Sequence, residues 1–176
     1  MRLRAAKALA AAGEKDAACL RPDAPGEPAP EVDHAIAHAT RVIFETDAGS
    51  TLAVAFDPTF APVAATRVVA LARSGFYTGV AVHRVVPAFV VQFGDRGGDG
   101  YGGSGDTLRC ETSPLPFGAL DVGVALAGRD TGSSQIFVTL SRHPHLDGEY
   151  AWIGRAEGDW DGVAEGDVIR AVHVEE

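Results

Sequence analysis

The chain has 176 residues, of which 46% are hydrophobic and 22% charged, with 21 glycines and 10 prolines; this is the balance of a globular domain rich in tight turns. Its formal net charge is -9, which repels phosphate backbones and argues against nucleic-acid binding. No apolar run approaches the roughly 18 residues of a membrane span, and two cysteines, Cys19 and Cys110, are too few for a thiolate zinc site or a disulfide framework. They are read as free thiols, with a single bridge between them left open.

Residues 1–40 read as an extension. Residues 2–12 are rich in Ala, Leu, Arg and Lys, good helix formers, and Gly13 is a stop signal. Arg2, Arg4 and Lys7 resemble the basic start of a signal peptide, but the apolar stretch Ala8 to Ala12 is short and Glu14, Lys15 and Asp16 interrupt it. No signal peptide is read, and a cytoplasmic location is expected. Residues 21–31, with four prolines, read as an extended linker, and residues 34–39 as a short helical turn.

From Arg41 the texture changes to short apolar runs. Residues 41–46 and 51–56 flank Asp47-Ala48-Gly49-Ser50, a hairpin pattern. Residues 62–73 predict a helix: Pro62 sits in its first turn, Ala65, Val68, Val69 and Ala72 share one face, and Gly75 ends it. Further strands are expected at 81–86, 89–94, 122–127, 135–140, 151–155 and 168–174. Eight strands suit a barrel filled by its own side chains. The expected fold is therefore mainly β, a closed eight-stranded antiparallel barrel over residues 41–176, capped by helices, with residues 1–40 as a short helical extension.

Several motifs tempt and fail. Gly94 to Asp106 is dense in glycine, yet no Gly-Lys-Ser/Thr follows it as a phosphate loop requires; it reads as a flexible loop at the barrel rim. His143, His145 and Asp147 lack the spacing of a metal site. Ser134, His83 and Asp147 supply the residue types of a hydrolase triad without a nucleophile elbow. No metal or cofactor is expected.

Three blocks remain: Val82 to Asp95, Ser133 to Thr139, and His145 to Tyr150. An arginine among β-branched residues is unusual within a strand; on period-2 spacing Val82, Arg84 and Val86 share a face. Alone, Arg84 reads as a surface cation whose stem covers apolar area, and Phe137 as core filler. Together the blocks resemble the cyclophilin family from about residue 41 to 174. Gly75-Phe76-Tyr77-Thr78-Gly79 is similar to its lead-in, His83-Arg84-Val85-Val86-Pro87 to its first signature, Thr131 to Phe137 to its second and Pro144 to Tyr150 to its third.

The resemblance implies peptidyl-prolyl cis-trans isomerisation of X-Pro bonds in unfolded or flexible protein segments. It implies Arg84 as the catalytic side chain, with Gln92 holding Arg84 and the substrate carbonyl in register. It implies His83, Phe89, Val90, Ala125, Leu126, Gln135, Phe137, His145, Leu146 and Tyr150 as substrate-binding residues. Members that bind cyclosporin-like macrocycles tightly tend to have Trp at the position of His145, so weak cyclosporin binding is implied. Val82, Val90, Leu126 and Phe93 depart from the family's usual Phe, Met, Asn and Gly, and the segment 156–165 is short, so its helix is expected to be irregular. A low-activity binding module for Pro-containing segments, and a scaffold docked through the extension, stand as alternatives.

Overall fold

The computed structural model describes residues 40–175. The helix read at 2–12, the linker, the turn at 34–39 and Cys19 lie outside the described residues.

Arg41–Thr46 (β1) and Thr51–Phe56 (β2) form the expected hairpin. Its turn is closed by Thr46 N–H to the Ser50 carbonyl at 2.9 Å. Pro62–Arg73 is the helix α1. It buries Ala64, Ala65, Val68, Val69 and Ala72 and packs against the sheet. It ends at Ser74, whose N–H bonds the Ala70 carbonyl and whose hydroxyl bonds the Leu71 carbonyl at 2.8 Å. The remaining strands are Val82–Val86 (β3), Val90–Phe93 (β4), Asp121–Val124 (β5), Ile136–Thr139 (β6), Trp152–Glu157 (β7) and Ile169–Glu175 (β8).

All pairings are antiparallel, in the order β3-β4-β6-β5-β7-β2-β1-β8. The result is a curled eight-stranded sheet rather than the fully closed ladder expected. Its two edges meet at a single bridge, Ala81 with Val168, flanked by Val82 N–H to the Asp167 carbonyl at 2.8 Å and Ile169 N–H to the Val80 carbonyl at 2.9 Å. These contacts lie at the start of β3 and do not continue along it. The expected helical capping is also reduced: α1 is the one α-helix among the described residues, and residues 158–168 form turns. There Trp160 is buried against Phe93, with stacked rings 6.1 Å apart.

The sheet separates two apolar clusters by strict alternation. Val91 and Phe93 of β4, Val122 and Val124 of β5, and Ile136 and Val138 of β6 enter the main core with Val42, Phe44 and the helix face. Val90 and Phe137, one step out of phase on β4 and β6, enter a second cluster with Phe117, Leu146 and Trp152. Buried Asp121 anchors this second cluster, accepting from Trp152 Nε1 at 3.0 Å and from Gly118 N–H at 2.6 Å.

The loop between β4 and β5 is tied to α1 from a distance. Ala61 provides no side-chain cap, and the Glu111 carboxylate instead accepts the N–H groups of Val63 at 3.2 Å and Ala64 at 2.8 Å. Those amides are orphan donors of the helix start. Cys110, next in the chain, is disulfide-bonded, which corrects its reading as a free thiol.

Removing the Glu111 cap by Glu111→Ala is expected to lower stability by about 1–2 kcal/mol, the range of a lost N-cap, measured by denaturant unfolding. Burial raises the Glu111 pKa and outweighs the two amide donors, which lower it. The folded pKa then lies above the unfolded one, so this group's titration favours folding below the unfolded value and loses that contribution as pH rises through the folded one. The stability advantage of wild type over Glu111→Gln is therefore expected to shrink between about pH 4 and neutrality.

Candidate active site

Strand β3 contains one residue more than β4 across the same interval. Val82 pairs with Phe93 and Arg84 with Gln92, so His83 is the extra residue of a β-bulge, a device that re-aims a side chain. Val82 therefore enters the main core with Phe93, and Arg84 stands with Gln92 on the other face. This corrects the period-2 expectation that Val82 and Arg84 share a face. Register then sets a row across four neighbouring strands: Arg84 beside Gln92, Gln92 beside Phe137, Phe137 beside Gly123. A Cβ on Gly123 would lie 2.5 Å from Phe137 Cζ, so the absence of a side chain there makes room for the ring.

Around this row lies a cavity of about 140 Å³ lined by Arg84, Phe89, Val90, Gln92, Ala125, Leu126, Phe137, Leu146 and Tyr150. Most of its lining side chains are apolar, and Phe137 meets Tyr150 edge to face with centroids 5.3 Å apart and Phe117 at 5.6 Å. One guanidinium and one amide are the polar groups of the row. A second cavity of similar volume shares Gln92, Ala125 and Leu126 and is lined further by Gln135, Thr131, Ser133 and the glycine loop. Tyr101, 94% exposed, stands at its mouth.

The orientation of the amides follows from hydrogen-bond polarity. Gln135 Nε2 donates to the carbonyls of Gly100 at 2.9 Å and Gly102 at 2.7 Å. Its Oε1 is thereby left to accept from Gln92 Nε2 at 2.8 Å, and Gln92 Oε1 in turn accepts from Arg84 Nη1 at 3.2 Å. The relay is thus directed, from loop carbonyls to guanidinium. Arg84 also lies over the Phe89 ring, with Cζ 5.5 Å from its centroid, and makes no ion pair among the described residues.

The loop that begins the relay is ordered by Asp95. Its carboxylate accepts N–H groups from Gly97, Asp99 and Gly100 at 2.8–3.1 Å. Burial opposes its ionisation, and the amides of Gly97, Gly100 and Gly102 together overcome that and hold its pKa below the usual carboxylate value. A Cβ on Gly102 would come within 2.0 Å of Asp95 Oδ1. The glycines here permit close packing on a buried carboxylate, which the reading of a flexible loop missed; an acid at the head of a glycine run is the signal that could have shown it.

Two expected residues lie outside both cavities. His83, the bulge residue, sits beneath the glycine loop, 3.6 Å from a Cβ built on Gly100. Both its ring nitrogens are buried without a hydrogen-bond partner. Burial lowers its pKa, partly offset by the charge of Asp95 and the nearby Gln135. His145 is exposed at the rim, its ring 5.5 Å from Phe89. Sequence reasoning weighed His143 only as a metal ligand. Among the described residues no group of three or more His, Cys, Asp or Glu could hold a metal ion, and His143 instead packs 4.6 Å from Phe89. The triad residue types do not meet: Ser134 is buried and bonds the Gly94 carbonyl, while Asp147 pairs with Arg142.

The family model for cyclophilin type peptidyl-prolyl cis-trans isomerase matches residues 41–175. A peptidyl-prolyl cis-trans isomerase of Synechococcus elongatus is 40% identical over 120 residues, covering 68% of this chain and 82% of that protein. Peptidyl-prolyl cis-trans isomerase B of Bacillus subtilis is 37% identical over 139 residues, covering 75% and 96%. A Cryptosporidium parvum cyclophilin type isomerase has the same fold, with a TM-score of 0.70 at 24% identity, covering 78% of this chain and 98% of that one. The same protein crystallised in the presence of the dipeptide Ala-Pro gives a TM-score of 0.70 at 25% identity over 77% and 99%. A match over the whole described sheet, with relatives above 30% identity across most of their length, shows that the chain belongs to the cyclophilin-type peptidyl-prolyl cis-trans isomerases.

Proposed function

We propose that this chain rotates X-Pro bonds in unfolded or flexible protein segments, assisting their folding, with Arg84 as the catalytic residue. The observation that carries this reading is the single guanidinium set by the Gln92–Gln135 relay beside an apolar cavity.

The barrier to rotation, about 18–20 kcal/mol, comes from amide resonance. Twisting the bond ends that resonance and leaves a lone pair on the prolyl nitrogen. A donor aimed at that nitrogen stabilises the twisted state more than either planar one, which is the requirement for lowering the barrier. In this reading Phe89, Val90, Phe137, Leu146 and Tyr150 hold the pyrrolidine ring. Gln92 keeps Arg84 in register, and Ala125, Leu126 and Gln135 receive the peptide backbone. The step moves no proton and forms no covalent intermediate.

Arg84→Ala is expected to lose about 10²–10³ in kcat/KM on an Ala-Pro peptide, the usual effect of removing one preorganised donor, with the thermal transition retained. Arg84→Lys should recover little, because an ammonium lacks the planar fork. The wild-type rate should be flat from about pH 6 to 9, since bond rotation transfers no proton. A bell-shaped profile, or an Arg84→Ala variant as fast as wild type, would overturn the assignment and favour a binding module.

Weak binding of cyclosporin-like macrocycles is proposed on the same footing. His145 presents a small imidazole at the exposed rim, where indole would offer more apolar area and an N–H donor. His145→Trp is expected to tighten macrocycle binding about tenfold, and nanomolar binding by wild type would contradict this.

A further inference from the structure

Phe89 follows a residue in a conformation that its type seldom adopts. Ala88 has φ +58°, the left-handed region where a Cβ is unfavourable and glycine is usual. The turn Pro87-Ala88-Phe89 joins β3 to β4, and its own bonds are the Phe89 N–H to the Val86 carbonyl at 2.9 Å and Leu140 N–H to the Phe89 carbonyl at 2.7 Å. A further pair of bonds comes from the segment after β6. Ser141 Oγ donates to the Ala88 carbonyl at 2.6 Å, and His143 Nε2 lies 3.0 Å from the same oxygen and 2.9 Å from Ser141 Oγ. A carbonyl only accepts, so His143 Nε2 carries the proton, which selects its tautomer.

His143 is itself fixed by its backbone N–H on the Phe117 carbonyl at 3.1 Å. Its ring then meets the Phe89 ring edge to face, with centroids 4.6 Å apart, while Arg84 lies over that same ring. Phe89 is therefore held by its backbone through the clamped carbonyl and by its ring between an imidazole and the guanidinium.

We propose that Ser141 and His143 are positioning residues for proline binding: by clamping the Ala88 carbonyl they hold a left-handed turn that places Phe89 in the cavity wall. This rests on the reading of Phe89 as a wall of the proline pocket. Without the two donors the Ala88 peptide is free to relax toward the conformations alanine prefers, and the Phe89 ring moves with it. The loss then falls mainly on ring binding, and catalysis of the bound peptide is largely kept, because two of the contacts that order Arg84, its bond to Gln92 and the chain on to Gln135, do not involve this segment, which touches the guanidinium only through the Phe89 ring.

The test measures Kd for an Ala-Pro peptide by NMR titration, and cis-trans exchange of the saturated peptide, on the whole chain. His143→Phe keeps a ring but no donor and is expected to weaken binding about three- to tenfold, the range of one lost hydrogen bond, with exchange within about twofold of wild type. His143→Gln, which can offer an amide N–H to the same carbonyl, should recover most of the affinity. In an Ala88→Gly background, where the left-handed turn needs no clamp, the His143→Phe loss should fall below about twofold. Ser141→Ala, a smaller change, should weaken binding in the same sense. The proposal is overturned if Phe89→Ala weakens binding but His143→Phe binds like wild type, if Gln fails to rescue, or if the loss is equal in both backgrounds. A Phe89→Ala variant that binds like wild type would instead overturn the pocket reading beneath it.

Discussion

Between Val82 and Arg84, β3 takes two steps where β4 takes one, and this mismatch sets the chemistry of the whole outer face. With regular pairing the arginine would follow Val82 toward the main core, where an unpaired guanidinium could not be tolerated. The extra residue, His83, allows Val82 to fill the core and Arg84 to join Gln92 and Phe137 on the opposite face. The residue absorbed by the bulge is half-buried with both ring nitrogens out of solvent, and this burial lowers its pKa. The cavity exists because two apolar clusters share one sheet, and the second is closed from outside by Phe117, Leu146 and Trp152.

Holding the guanidinium still is a separate problem. An arginine side chain on a strand near solvent has many rotamers, and fixing them opposes order by up to about 2 kcal/mol. Three features supply the order: the bond to Gln92, the Phe89 ring beneath the guanidinium, and the directed chain back to the Gly100 and Gly102 carbonyls. Asp95 fixes those carbonyls by gathering the loop's N–H groups. A buried carboxylate thus acts at a distance on the side chain that faces the cavity. Such preorganisation lets a donor act on developing charge without rearranging at the moment of reaction.

Much of this architecture was legible in the residues. The first hairpin and α1 were read at their observed bounds, because alternation, Asp-Ala-Gly-Ser, and Pro62 with its i, i+3, i+4 apolar face are local signals. Other strands were read within a few residues. The blocks around Arg84, Phe137 and Leu146 hold seven of the nine residues that line one cavity; Ala125 and Leu126 came only with the family resemblance, and His83, Gln135 and His145 do not line it. What escaped was non-local. A bulge is a mismatch between two strands and leaves no mark in either alone. The Glu111 cap joins residues 47 and 48 positions apart, beyond any periodicity. The partial seam between β3 and β8 is a property of sheet curvature. At Ala88 the sequence misleads, since a left-handed residue is expected to be glycine, and the clamp that compensates lies over 50 residues away.

The most direct test is a crystal structure of this chain with an Ala-Pro-containing peptide. The account predicts the pyrrolidine ring against Phe89, Phe137 and Leu146, with an Arg84 guanidinium nitrogen within about 3.5 Å of the prolyl nitrogen and the Gln92 contact retained. A proline seated elsewhere on the sheet, or an Arg84 turned from the ring while Gln92 bonds another group, would contradict it.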